Sequence, residues 1–390
     1  MTRIPQMTPL GQVVELVMGQ APPSKDYNFE GQGTPFVKVG EFGEDRPVIR
    51  EWTTNPLRMA RKSDVLLCVV GATCGKINLG EDCAIGRSVA AIRPNVEKLD
   101  QYYLHYFMMT LIERLRSGSV GAAQTVISKE MISSVEIPLP SLPEQQHIVA
   151  LLDQAFDGIA TAKVNDEKNL QNARALFESR LQFVFTQRGE GWVEKPFEEV
   201  ADADCSLSYG IVQPGDEYLD GMPIVRPTDL TTKIIRLSGL KRINPKLAGG
   251  YKRTALQGGE LLLCVRGSTG IVSIASPELV GANVTRGIVP IRFNRSLLMP
   301  EFGFYLISAG PVQSQIREKT YGTALMQINI RDLRVISLSF PPLKEQEKIA
   351  AKLDSLHEET QHLESLYQRK LAALDELKKS LLHQAFSGQL

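Results

Sequence analysis

Residues 138–154 read PLPSLPEQQHIVALLDQ, and residues 339–355 read SFPPLKEQEKIAAKLDS. Eight of the seventeen positions are identical, at a constant offset of 201 residues. Each copy ends a mixed, strand-like segment and opens a long helical pattern. The first pattern runs from Pro143 to Gln187, with apolar positions at Ile148, Leu152, Ala155, Ile159, Ala162, Leu170, Ala173, Phe177 and Val184. The second runs from Leu343 to Phe386, with Ile349, Leu353, Leu356, Leu363, Tyr367, Leu371, Leu374, Leu377 and Leu381. Most spacings are three, four or seven, the pattern of a coiled-coil seam. At about 1.5 Å per residue, each pattern predicts a rod of roughly 65 Å. A lone rod would leave its Leu/Ile stripe in water, so two equal rods in one chain are expected to pair, antiparallel. The globular parts then fall near opposite ends, related by a pseudo-twofold axis. Ser141-Leu142-Pro143-Glu144 fits a capping box with Pro in the first turn. The second copy has Pro342 in place of the Ser, so this cap does not account for the repetition.

The duplication extends upstream. DVLLCVVGATCG (64–75) answers ELLLCVRGSTG (260–270), each an apolar run ending in a Gly/Thr turn. AIGRSVAAIRP (84–94) answers NVTRGIVPIRF (283–293), which aligns Arg87 with Arg286. TPFVKVGEF (34–42) answers MPIVRPTDL (222–230), and GAAQTVISKEMISSVEIPLPSLPEQ (121–145) answers GTALMQINIRDLRVISLSFPPLKEQ (322–346). The offset grows from 188 to 201 along the repeat, so the second copy carries about a dozen extra residues in its middle loops. Short strands alternating with turns, plus one amphipathic helix per copy, predict a mixed α/β fold. That helix covers Tyr102–Ser117 in the first copy. In the second, Glu301–Lys319 should be broken or kinked by Gly303, Gly310 and Pro311.

With 390 residues the chain exceeds one ordinary core, and its 43% hydrophobic and 23% charged content is that of a globular protein. Its longest uncharged apolar run, near VLLCVVGA (65–72), is far short of the roughly 20 residues a membrane span needs. With no signal-like segment at the start, the expected location is the cytoplasm. The five cysteines (Cys68, Cys74, Cys83, Cys205, Cys264) have no CxxC spacing and the five histidines form no metal-binding pattern. Reduced, mostly buried thiols are expected, and no metal. Zero formal net charge counts mildly against a simple nucleic-acid coat but leaves room for a local basic surface.

No catalytic constellation emerges. NFEGQG (28–33) contains FxGxG, a loop found in S-adenosylmethionine sites, but no apolar strand precedes it and no NPPY-type element accompanies it. GATCGK (71–76) has the wrong spacing for a phosphate loop and no Ser/Thr after the Lys. The plainer reading of both is a turn.

Taken together, IPLPSLPEQQHIVALLDQ, FPPLKEQEKIAAKLDS, the terminal LLHQAFSGQL and GAAQTVISKEMISSVEIPLP resemble the specificity subunit of type I restriction-modification enzymes. The resemblance spans the chain in order. It implies two target-recognition domains, 1–140 and 189–341, and two spacer helices, 141–188 and 342–390. It implies a subunit with no catalytic residues, whose globular domains each read one half of a bipartite, asymmetric site in double-stranded DNA. The paired helices would set the spacer and dock two copies of the methylation subunit, which brings S-adenosylmethionine. Endonuclease/translocase subunits would join. Two further readings fit the same residues: a DNA-binding module serving a different effector, and a coiled-coil scaffold.

Residues that read DNA lie outside the matching motifs. Arg or Lys can pair with guanine, and Gln or Asn with adenine, so such residues in turns at corresponding places are candidates. They are Lys76, Arg87, Gln124 and Lys129 in the first copy, and Arg266, Arg286, Gln327, Asn329 and Arg331 in the second. Arg87 and Arg286 are the best-matched pair, although a recurring structural turn would explain their recurrence better than base reading, since two domains reading different half-sites need not share base contacts. The helix starts offer Glu144, Gln145, Glu345 and Gln346 as partner-docking candidates.

Overall fold

The computed structural model describes residues 6–117, 126–205, 207–323 and 325–389. The chain forms two compact units, Met1–Glu167 with Gln368–Leu390, and Lys168–Tyr367. Each holds one globular copy and roughly half of each long helix. The helices are Leu142–Thr186 and Leu343–Ser387, 45 residues each.

The globular part of the first unit is built on two sheets. A four-stranded antiparallel sheet runs Val14–Met18, Val89–Pro94, Val65–Cys68, Ile77–Leu79. A five-stranded sheet contains one parallel pair, Thr34–Val37 with Cys83–Ile85. The second unit repeats both. Its four-stranded sheet runs Ile234–Ile235, Val272–Ala275, Leu261–Cys264, Ile288–Ile291, and its three-stranded sheet has the parallel pair Met222–Val225 with Asn283–Val284. Register is kept as well: Cys68 faces Val89, and Cys264 faces Ile288. The outermost strand differs. It joins beside Val89–Pro94 in the first unit and beside Val272–Ala275 in the second.

VLLC and LLLC carry no polar alternation because each strand is covered on both faces. Val65 and Leu67 point into one core while Leu66 points into another; Leu261 and Leu263 oppose Leu262 and Cys264 in the same way. Successive side chains of a strand point to opposite faces, so a strand between two cores reads as an unbroken apolar run. All five cysteines are unpaired thiols, and four are buried.

The helix expected over 102–117 is two helices, Gln101–Thr110 and Ile112–Ser117, separated at Leu111. In the second unit the break falls at Ala309, between Pro300–Ser308 and Gly310–Glu318. Gly310 and Pro311 open the second piece, as expected. Gly303 breaks nothing. It lies inside its helix, where a Cβ would run into the Phe293 ring, so Gly there permits close packing.

The long helices pack antiparallel within each unit. In the first, Leu152 is buried with Leu382 and Ala385, and further along Lys163 pairs with Asp375. In the second, Arg174 pairs with Glu364 at 2.9 Å and the Phe177 ring lies 4.7 Å from His357. Leu377, expected in the seam, is 46% exposed. Both helices begin alike through the main chain: the Ser141 carbonyl accepts from the N–H groups of Glu144 and Gln145, and the Pro342 carbonyl accepts from those of Glu345 and Gln346. This main-chain turn needs no Ser, and it forms equally on Ser141 and on Pro342.

The repeated motif joins helix to globule. Gln145 is fully buried; its Oε1 accepts from the Asp100 N–H at 2.8 Å, and its Nε2 donates to the carbonyls of Lys98 (2.8 Å) and Pro140 (2.9 Å). Gln346, also fully buried, accepts from the Met299 N–H at 2.9 Å and donates to the carbonyls of Leu297 and Pro341, both at 2.8 Å. Two turns on, Asp153 accepts from the Tyr106 hydroxyl, and Asp354 from that of Tyr305. Burial first, then the carboxylate beside it, raises both tyrosine pKa values. The far end of the other helix closes the joint. Phe386 packs on Tyr103 and Phe107 in the first unit, and Phe185 packs on Phe302 and Trp192 in the second.

Candidate nucleic-acid interface

One main-chain frame recurs in both units and gathers most of the predicted DNA-contacting residues. In the first unit the Val69 N–H donates to the Ser88 carbonyl (2.8 Å) and the Ile127 N–H to the Val69 carbonyl (2.9 Å). In the second the Val265 N–H donates to the Gly287 carbonyl (2.8 Å) and the Ile328 N–H to the Val265 carbonyl (3.0 Å). Three segments therefore meet: the turn after the parallel pair, the end of the doubly buried strand, and the segment entering a short helix.

Arg87 and Arg286 sit on the first of these segments, both exposed. The Arg286 N–H donates to the Ile211 carbonyl, so the turn holds its backbone and leaves the guanidinium outward. Lys76 is exposed on the hairpin that follows the doubly buried strand. The Gly-rich segment before it is a hairpin turn: Gly71 and Gly75, like Gly267 and Gly270, have φ between 84° and 94°, a region that favours glycine. Lys129 and Arg331 are exposed in the first turns of the short helices Lys129–Ser133 and Ile330–Arg334. Gln124 lies outside the described residues.

Arg266 and Gln327 face each other across an isolated antiparallel bridge; Val70 and Val126 occupy the same bridge in the first unit. Gln327 Nε2 donates to the Tyr321 hydroxyl at 3.0 Å, and that hydroxyl donates to Asn329 Oδ1 at 2.6 Å. Tyr209, 41% exposed, donates to the Ile328 carbonyl at 3.1 Å. Its pKa is raised, chiefly by burial, against the pull of nearby Arg286. In the first unit Arg116 reaches the Ala72 carbonyl at 3.4 Å.

The surface thus places cationic, amide and phenolic groups around a fixed backbone frame, the mixture that base edges and phosphates require. Sequence reading missed Tyr209, Tyr321 and Arg116. Expectation was confined to Arg, Lys, Gln and Asn in turns at corresponding places of both copies, which passes over tyrosines and over Arg116, which lies in a helix.

The partner-docking candidates divide. Glu144 and Glu345 are exposed at the helix starts, and Glu345 is bonded to Lys348 at 3.3 Å. Gln145 and Gln346 are withdrawn from any docking surface. Both are buried with their amides saturated by main-chain partners, and they fasten helix to globule.

An open cleft of about 1120 Å³ in the second unit is lined by Lys233, Phe304, Asp354 and His357 among others. Two of its charges are spent on each other: Lys233 pairs with Asp354, and it also lies over the Tyr305 ring. No helix among the described residues is long and apolar enough to cross a membrane.

Comparison with known proteins gives consistent results. The specificity subunit of the EcoBI type I restriction enzyme of Escherichia coli is 20% identical over 410 residues, covering 98% of this chain and 85% of that one. A solved chain of a type I R-M system, described in terms of complex assembly and conformational transition, matches 99% of this chain and 98% of its own length, with TM-score 0.79 and 19% identity. The HsdS subunit of Thermoanaerobacter tengcongensis matches 100% of this chain and 98% of its own, with TM-score 0.66 and 20% identity. At these identities the two structures establish likeness of fold. The family model for the type I restriction modification DNA specificity domain matches residues 6–171 and again 190–370, and the chain belongs to that family.

Proposed function

We propose that the chain is the specificity subunit of a type I restriction-modification complex, and that its two globular parts each read one half of a bipartite, asymmetric DNA site. The observation that carries this reading is the recurring frame. Its hydrogen bonds are the same in both units, yet its mouth carries Val70 and Val126 in one and Arg266 and Gln327 in the other. One scaffold bearing different side chains suits two domains reading different base pairs.

In this reading residues 1–140 and 189–341 are the recognition domains, and 141–188 and 342–390 are the spacer helices. Lys76, Arg87, Lys129, Arg266, Arg286, Gln327, Asn329 and Arg331 contact phosphate or bases. Glu144 and Glu345 lie on surfaces that dock two methylation subunits. Those subunits carry S-adenosylmethionine and the chemistry, endonuclease/translocase subunits join them, and the chain itself is non-catalytic and works in the cytoplasm. Neutral overall charge fits, because partner subunits can share the phosphate neutralisation.

The test is co-expression with the candidate methylation subunit, followed by mapping of N6-methyladenine. An asymmetric two-part motif with a fixed gap, lost when this gene is removed, is expected. A stable complex with no methylated motif moves the weight to a different effector. Absence of both complex and motif refutes the reading and favours a scaffold.

A further inference from the structure

Gln327 is the most tightly framed polar residue at the mouth of the second unit. Its N–H and carbonyl are both bonded to Tyr321 at 2.9 Å, while the Gly267 N–H donates to the Met326 carbonyl and the Ile328 N–H to that of Val265. The side chain is fixed as well. Its Nε2 donates to the Tyr321 hydroxyl, which in turn donates to Asn329 Oδ1. The direction of this relay leaves Gln327 Oε1 as an acceptor and the second Nε2 hydrogen as a donor. Both Asn329 Nδ2 hydrogens remain as donors too. Tyr321 is 44% exposed, so the relay stands at the surface rather than in a core.

An acceptor beside a donor, held in one orientation, is the complement of adenine N6 and N7 in the major groove. A side chain already held in place also loses less freedom on binding. Arg266 across the bridge, and Arg286 on the neighbouring turn, supply positive charge for phosphate or guanine. The first unit supplies the contrast. On the same frame it has Val126, 40% exposed, where the second has Gln327, and Ser128 where the second has Asn329. An apolar branched side chain suits a thymine methyl group and offers adenine no hydrogen bond.

We propose that Gln327 is a base-reading residue of the second unit that selects an adenine, with Tyr321 as its positioning residue. This rests on the DNA-recognition reading above.

The experiment is selection from a pool of randomised duplexes by the chain co-purified with its methylation subunit, followed by sequencing. Wild type, Gln327→Val, Gln327→Glu and Tyr321→Phe are compared. Wild type is expected to prefer A·T at one position of one half-site, by roughly 5- to 150-fold. Gln327→Val abolishes that preference. Gln327→Glu moves it toward C·G, because a carboxylate accepts from cytosine N4. Tyr321→Phe, which removes one oxygen, weakens it partway. The other half-site stays unchanged in all three. Unaltered preferences in Gln327→Val and Gln327→Glu overturn the proposal while leaving the specificity-subunit reading intact. A wild type that selects no two-part sequence overturns both. Should the Gln327 variants lose both half-sites through misfolding, Tyr321→Phe decides: an unchanged position refutes the relay.

Discussion

Replacing Gln346 by Ala tests whether the repeated motif is a joint. The side chain makes three hydrogen bonds of 2.8–2.9 Å, all to main-chain groups of the second unit. Truncation leaves the Met299 N–H and the Leu297 and Pro341 carbonyls without that partner in a buried setting. At about 1–1.5 kcal/mol for each lost bond, the local loss is about 3–4.5 kcal/mol. That corresponds to an opening equilibrium two to three orders of magnitude more favourable. A chain of two units does not unfold in one step, so a single melting midpoint would blur the effect. Peptide-resolved hydrogen exchange reads it directly, over residues 297–302 and 343–353. Both segments should lose protection, while residues 98–103 and 142–152, held by Gln145, should not. Gln346→Glu adds a check: its carboxylate turns an acceptor toward two carbonyls, so it should open at least as readily at pH 8 and recover partly on acidification. Protection within threefold of wild type in Gln346→Ala would refute the joint.

Other perturbations follow from the same structure. Phe185→Ala removes a buried ring and should destabilise the second unit by about 3–5 kcal/mol, and Phe386→Ala, which removes a half-buried ring, should destabilise the first by less, seen as exchange in residues 300–308 and 101–110 respectively. Gly158 lies in the first long helix with open space where a Cβ would go, so Gly158→Ala should stabilise by about 0.5–1 kcal/mol in chemical denaturation. Burial lowers the His105 pKa from 6.5 to about 4. The folded state then binds fewer protons than the unfolded state between those values, so the first unit should lose stability as pH falls through that window. The slope is at most about 1.4 kcal/mol per pH unit, and a His105→Gln variant should lack it. Arg87→Ala and Arg286→Ala should each weaken DNA binding of the assembled complex and lower the salt dependence of log K by about one; an unchanged slope would assign them to the fold.

The rods were legible because a seven-residue apolar pattern over more than forty residues has few other solutions, and the tandem repeat made their pairing legible too. The doubly buried strands were recognisable from VLLC and LLLC. What escaped depends on distant partners. Nothing local marks Gln145 or Gln346 as buried, since their partners are carbonyls and N–H groups more than forty residues away in the chain or just before the helix. Leu377 fits the heptad but falls outside the seam, because a heptad cannot say where packing ends. Gly303 looked like a breaker, but Phe293 across the packing gap is what requires it. Most of the candidate surface was found as residue types; the relay through Tyr321 was not, because it exists only where a bridge folds residue 321 back onto residue 327.

The two glutamine joints hold nothing but backbone. Gln145 grips the main chain at Lys98, Asp100 and Pro140, and Gln346 grips it at Leu297, Met299 and Pro341. Two of these three positions differ in chemistry between the units, yet the grip is the same. The glutamine's grip is indifferent to the side chains at those positions, whereas Tyr106 and Tyr305 and the rings under Phe386 and Phe185 are side chains the joint does use. The gripped positions can therefore change their side chains without loosening the glutamine, provided a tyrosine and an aromatic seat remain beside it.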